Sequence, residues 1–152
     1  AILRVRGPIK VNVDIEHTLK LLRLTRVNHC VIYPEDKKIK GMLFKIRNMV
    51  TYGEITKETL KKMLVKRGFV YSDKGKLLKF KEQYADEKAI DKLVDDLISG
   101  KAKINDLNLK PVFRLKPPTK GYDRKGIKKT FKEGGVLGYR ADHINKLLLK
   151  MI

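Results

Sequence analysis

The chain has 152 residues, the size of one ordinary domain, and 42% of them are hydrophobic, which excludes wholesale disorder. Lysine and arginine number 36 against 17 aspartates and glutamates, for a formal net charge of +19 and a pI near 10.0. Self-repulsion on that scale opposes compaction unless a polyanion offsets it, so nucleic acid is the first partner to expect, an anionic membrane surface the second and an acidic protein the third; no apolar run approaches the roughly 18 residues that would span a bilayer.

The opening AILRVRGPIKVNV alternates apolar and cationic residues and lacks the continuous apolar run of a secretory signal. A chain starting at Ala1 rather than methionine is expected to lack a few initial residues. Ile2, Arg4 and Arg6 alternate with Leu3 and Val5, predicting a strand of mixed faces. Asp14 is the expected N-cap of a helix that turns Ile15, Leu19 and Leu22 to the core while Lys20 and Arg23 project elsewhere. VNHCVIYP reads as a second strand closed by Pro34, with Cys30 as a buried structural thiol. A lone cysteine makes no internal disulfide and fits a reducing compartment. His17, His29 and His143 are far apart, so neither a metal nor a cofactor is expected. Ile39, Met42, Leu43, Ile46, Met49 and Val50 then recur at helical spacing, and TYGEI can supply a third strand. Residues 1–55 thus predict an α+β fold, a βαβαβ core whose small sheet carries two helices on one face.

Residues 56–109 predict a helical insertion. Thr56 can cap a helix running to Arg67, with Gly68 just past its end. FVYSDKGKLLKF is either a hairpin turning at Asp73 to Gly75 or an irregular loop. In DEKAIDKLVDDLISG, Ile90, Leu93, Val94, Leu97 and Ile98 share one helix face, and Gly100 ends it. Residues 81–109 hold five basic and seven acidic side chains, so the insertion is expected to face mostly solvent or another protein.

Residues 110–152 predict a basic extension ending in a helix. Between 110 and 140 there are ten lysines and arginines, opposed only by Asp123 and Glu133. PVFRL suggests a short strand; from Pro117 to Tyr139 two prolines and five glycines replace any apolar period. A helix from about Asp142 offers Ile144, Leu147, Leu148 and Met151 for packing. The bare backbone at Gly134, Gly135 and Gly138 could let a phosphate oxygen approach. Arg114, Lys116, Lys120, Arg124 and Lys125 supply counter-charge, as do Lys128, Lys129, Lys132 and Arg140. Tyr122, Phe131 and Tyr139 are candidates for base stacking or for anchoring the arm on its own domain. The arm is expected to be flexible until a polyanion orders it.

Enzymatic chemistry finds no footing. Neither a Walker loop nor the dinucleotide fingerprint occurs, and the GXXG at 135–138 lacks the apolar helix that should precede it in a KH domain. Asp95 and Asp96 are adjacent on a helix and diverge, while Glu54 and Glu133 are lone carboxylates, so no catalytic residue is assigned.

TLKLLRLTRVNHCVIYPEDKKIKGMLFKIRNMVTYGEI, with its apolar positions from Thr18 to Leu24 and from Met42 to Val50, resembles the large-subunit ribosomal protein family numbered thirty in its archaeal branch, whose eukaryotic relatives carry the number seven. LKPVFRLKPPTKGYDRKGIKKTFKEGGVLGYR is similar to that branch's C-terminal extension. The resemblance implies a core related to the ferredoxin-like fold and a structural role on cytoplasmic ribosomes. It implies binding of large-subunit ribosomal RNA close to 5S rRNA, beside neighbouring ribosomal proteins and with no membrane partner. It further implies RNA-facing roles for Arg4, Arg6, Arg23, Arg26, Asn28 and His29, and for the basic-glycine pair Lys40 and Gly41. The alternative is a stand-alone regulatory DNA- or RNA-binding protein, in which the helix from Thr56 and the hairpin mimic a winged module. Lys57, Lys61 and Lys62 on that helix suit phosphates better than base edges.

Overall fold

The computed structural model describes residues 1–72, 76–84, 86–102, 104, 107–122 and 125–152. The N-terminal third runs β1 (Ile2–Arg4), α1 (Val13–Leu21), β2 (His29–Val31), α2 (Lys37–Ile46) and β3 (Val50–Tyr52). The cap of α1 is Asn12 rather than Asp14: the Asn12 side-chain oxygen accepts from the Asp14 amide at 3.0 Å. The insertion supplies α3 (Lys57–Arg67), β4 (Phe69–Tyr71), β5 (Leu77–Lys79), α4 (Phe80–Gln83) and α5 (Glu87–Ile98). Strands β4 and β5 pair antiparallel, which resolves the alternatives in favour of a hairpin. Its expected turn, Asp73 to Gly75, lies outside the described residues. The last segment forms β6 (Val112–Arg114), two short 3₁₀ turns, β7 (Gly138–Tyr139) and α6 (His143–Met151).

The main sheet has five strands in the order β6-β2-β1-β3-β7. Strand β1 is central and antiparallel to both β2 and β3; β6 pairs antiparallel with β2, and β7 parallel with β3. The three-strand core read from the sequence is therefore extended at both edges by the C-terminal segment. The period-2 alternation of short strands divides the interior in two. Ile2, Val31 and Val50 face α1 and α2, packing on Leu19, Leu22, Leu43, Ile46 and Met49. Leu3, Cys30 and Phe113 face the other way, onto Leu60, Met63 and Leu64 of α3, Ile90, Leu93 and Val94 of α5, and Ile144, Leu147, Leu148 and Met151 of α6. The insertion does more than face outward. Its apolar side closes the second face of a sheet that would otherwise leave half its side chains in water. Cys30 sits fully buried at this boundary, where desolvation pushes its thiol up to about 12.

The C-terminal segment is not a detached arm. Lys116 and Thr119 donate their amides to the carbonyls of Met151 and Lys150, at 3.0 and 2.9 Å, and so lay the chain along the end of α6. Farther on, Thr51 Oγ1 donates to the Gly138 carbonyl and the Arg140 amide to that of Tyr52, clamping β7 onto β3. A two-residue parallel strand among glycines has no apolar period to announce it. Its anchors are backbone groups.

Two glycines should respond oppositely to an added methyl. A Cβ at Gly53 would run into the Ala141 carbonyl, whereas one at Gly41, in the middle of α2, would meet nothing within 4 Å. Gly53→Ala is expected to cost about 1–3 kcal/mol in urea denaturation, and Gly41→Ala to gain roughly 0.5–1 kcal/mol from helix propensity. Equal effects of the two would refute this packing.

Candidate nucleic-acid interface

The strand directions gather cationic residues at one end of the sheet. Strands β1 and β6 run toward that end, and β2, β3 and β7 start from it. Across the order β6-β2-β1-β3 stand Arg114 at the close of β6, Arg26 before β2, Arg6 after β1 and Arg47 before β3. Three strand spacings make this row about 14 Å wide. The link from β6 to β7 leaves from this end and returns to it at the opposite edge. It brings exposed Lys116, Lys120, Lys125, Lys128, Lys129 and Lys132. Tyr122, half-buried, fastens this crossing by donating from its hydroxyl to Asn28 Oδ1 at 3.1 Å.

The loop carrying Arg26 is built from local rules. Helix α1 ends in a Schellman pattern, with the Leu24 amide donating to Leu19 O at 2.8 Å and that of Arg23 to Lys20 O at 2.9 Å. The left-handed residue there is Arg23, φ 60°, where glycine is usual, and Asn28 also has φ 64°. Arg4 then pins the loop. Its guanidinium donates to the carbonyls of Leu24 (2.7 Å), Thr25 (2.9 Å) and Arg6 (3.0 Å), and the residue is only 2% exposed. The family resemblance puts Arg4 against RNA; the structure turns it inward, because three converging carbonyls satisfy a guanidinium that β1 carries into the sheet.

His29 is buried beside Arg4, its Nδ1 3.3 Å from Thr25 Oγ1. Its pKa is lowered, first by desolvation and then by the positive charges of Arg114, Arg26, Arg4 and Lys110. Burial and the surrounding positive charge both disfavour the imidazolium form. Lys110, ahead of β6 and also held below the usual lysine range by burial and by Arg114, adds to this positive field although the sequence does not single it out. Its only signal there is its place at the head of a basic run.

The glycine-rich turn is closed by its own chain. Lys129 O accepts from the amides of Val136 (3.0 Å) and Leu137 (3.1 Å), and Thr130 with Glu133 forms a capping box. Hydrogen bonds from Thr130, followed by the nearby Lys129 and Lys125, hold the Glu133 carboxyl below the usual range. Gly134 needs its left-handed φ of 88°, while a Cβ at Gly135 would strike the Lys129 carbonyl. Gly135 is therefore bare for the sake of its own turn and is buried, a correction to its expected contact with phosphate. Arg140 is corrected likewise: it is 3% exposed, donates from Nη2 to Val136 O at 3.0 Å and stacks on the Phe131 ring at 4.6 Å. Arg124 lies outside the described residues.

Most of the remaining expected residues are at the other end. A groove of about 610 Å³ opens there, and Arg23, Lys40 and Tyr139 line it together with Glu35, Asp36 and Glu54. Lys40 pairs with Glu35 at 2.6 Å and the Tyr139 hydroxyl donates to Glu54 at 2.8 Å. Gly41 lies on the exposed side of α2, and Gly138 takes its φ of 84° in β7. Carboxylates make this end a poor seat for a polyanion. Among the described residues no cluster of three or more side chains could hold a metal, and no helix is long and apolar enough to cross a membrane.

A sequence profile of the family described as ribosomal protein L30p/L7e matches residues 1–50. Over its whole length the chain is similar to proteins called large ribosomal subunit protein uL30. It is 49% identical over 152 residues to the one from Methanococcus vannielii, covering 100% of this chain and 98% of the relative. The protein from Nanoarchaeum equitans is 47% identical over 155 residues, with 100% and 97% covered, and that from Methanosphaera stadtmanae 40% identical over 152 residues, with 100% and 99% covered.

The neutral His29 generates a pH test. Its folded pKa lies below the unfolded value near 6.5, so the unfolded chain takes up this proton first as pH falls. The stability it contributes is present above about pH 6.5 and is lost as pH drops through the folded pKa. His29→Gln is expected to flatten the decline in melting temperature between about pH 7.5 and 5 relative to the native chain. Parallel curves would show that the cations do not act on His29.

Proposed function

The chain belongs to the ribosomal protein L30p/L7e family, and from that premise we propose that it binds ribosomal RNA directly, with the cationic end of its sheet as the contact surface. As a member it is a structural, non-enzymatic constituent of the large subunit of cytoplasmic ribosomes, with ribosomal RNA and ribosomal proteins as its partners. The observation that supports the RNA surface is the row of Arg114, Arg26, Arg6 and Arg47 across the strand ends, with the exposed lysines of the following segment beside it. Exposed like charges ranged along one end repel one another, and bound phosphates offset that repulsion.

Exposed arginine and lysine at the end of a short-stranded sheet can satisfy phosphate oxygens but present no ordered set of base-reading groups, so recognition is by charge and shape. The division of labour follows: residues 1–55 carry the strand ends and their arginines, 110–152 the lysines of the crossing segment, and 56–109 the support for the far face and a surface for a neighbouring protein. The similarity of both ends of the chain to archaeal members extends the proposal to a position beside 5S rRNA. The regulatory alternative is disfavoured, since Lys57 and Lys61 are paired with Asp95 and Asp91 on α5, at 2.5 and 2.6 Å, which ties two of the three lysines of the would-be recognition helix into the domain.

Each phosphate contact releases a counterion and adds about 0.7–0.9 to the slope of log affinity against log salt. Replacing Arg26 and Arg114 together by alanine is expected to weaken binding to deproteinised large-subunit RNA and to reduce that slope by about 1.5. The pair Lys57→Ala and Lys61→Ala should leave it unchanged. A slope indifferent to the arginines, or lowered by the lysines instead, would move the contact surface elsewhere.

A further inference from the structure

We infer that the corner between the first loop and the end of α2 is a second RNA contact, one that takes unpaired bases by stacking; this rests on the RNA-binding reading above. Ile9, Val13 and Phe44 are 84%, 79% and 68% exposed, the highest values for large apolar side chains among the described residues. Ile9 and Val13 are neighbours in sequence, Phe44 is distant, and the fold brings the two segments to one place. An Asp14–Lys45 contact at 4.0 Å joins the start of α1 to the end of α2. Arg6 Nη1 donates to the Asn48 carbonyl at 3.4 Å, and the amides of Val5 and Arg6 donate to Met49 O, so the loop that carries Ile9 leaves from the same spot.

Single exposed apolar side chains are common on any surface, but three of the most exposed gathered at one corner mark a docking surface. Its charges choose the occupant. Arg6, Lys10, Lys45 and Arg47 surround it, with Asp14 as the opposing carboxylate, which suits a polyanion. The Arg47 guanidinium lies over the Phe44 ring, 4.6 Å from its centre. A cation stacked on one face of an exposed ring leaves the other face for a base, the arrangement single-stranded nucleic acid uses. Ile9 and Val13 add aliphatic surface of the sort that wedges against an unstacked base. On the same stripe of α2, Gly41 leaves the backbone clear of any neighbour within 4 Å, so a bulky partner can lie close along the helix. The corner adjoins the cationic row through Arg6 and Arg47, so one RNA strand could pair its phosphates with the row and its splayed bases with the corner.

The chain contains no tryptophan, so Phe44→Trp installs a single reporter. Titration with deproteinised large-subunit RNA is expected to quench its emission in step with filter-binding saturation. Phe44→Leu, apolar but unable to stack, should weaken binding roughly 5- to 100-fold. The double change of Arg26 and Arg114 to alanine should weaken affinity while leaving the quench at saturation intact. If the native chain binds this RNA but the reporter's emission stays unchanged and Phe44→Leu binds equally well, the stacking site is refuted and the phosphate row survives. An emission change seen only in assembled subunits, with leucine as good as phenylalanine, would assign the corner to a protein neighbour and also refute it. Failure of the native chain to bind the RNA at all overturns both readings.

Discussion

The buried guanidinium of Arg4 is the constraint on which the cationic end of the sheet depends. A cation carried into a sheet is costly unless its donors are matched, and here the carbonyls of Leu24, Thr25 and Arg6 do the matching. Hydrogen bonds from a charged group are worth about 1.5–3 kcal/mol each, enough to hold a loop that has two non-glycine residues at positive φ. Arg4 therefore works indirectly. It sets the positions of Arg26 and Arg6, which are free to meet a ligand because Arg4 is not.

Topology does the rest. β6 and β7 sit at opposite edges of the sheet, the described residues between them form only short 3₁₀ turns, and Tyr122 fastens that segment to Asn28 at the strand ends. Its lysines are thereby laid along the row of arginines without needing any regular structure of their own. The same crossing explains the prolines and glycines of that segment as fittings of a folded strap, with Gly135 tucked under the Lys129 carbonyl and Phe131 pinned by Arg140.

Much of this is legible in the residues. The spacing of Leu19 and Leu22, of Leu43 and Ile46, and of Leu147, Leu148 and Met151 marks helices whose apolar faces are buried as read. Strand β7 is not legible, because a parallel pairing of two residues rests on backbone bonds to Tyr52 and on Thr51 rather than on an apolar pattern. The inward turns of Arg4 and Arg140 are hidden for a related reason. Arginine in a basic chain looks like surface until carbonyls from distant segments are seen to converge on it, and such convergence leaves no periodicity. Lys40 and Tyr139 read as RNA contacts, yet they sit at the end of the sheet that also holds Glu35 and Glu54. Only the strand directions separate the two ends.

That separation bears on how a domain of net charge +19 stays folded. Spread evenly, the charge would oppose compaction everywhere. Instead the α3–α5 seam is neutralised by its own ion pairs, and carboxylates gather at the groove. Much of what remains lies in the arginines at the strand ends and the exposed lysines of the segment after β6. The free energy of that crowding is local, so a polyanion bound at that end relieves it without rearranging either core. Binding and folding are then linked in one direction: whatever neutralises the cationic end stabilises the whole domain, because a ligand that prefers the native state adds its differential affinity to the stability of the fold.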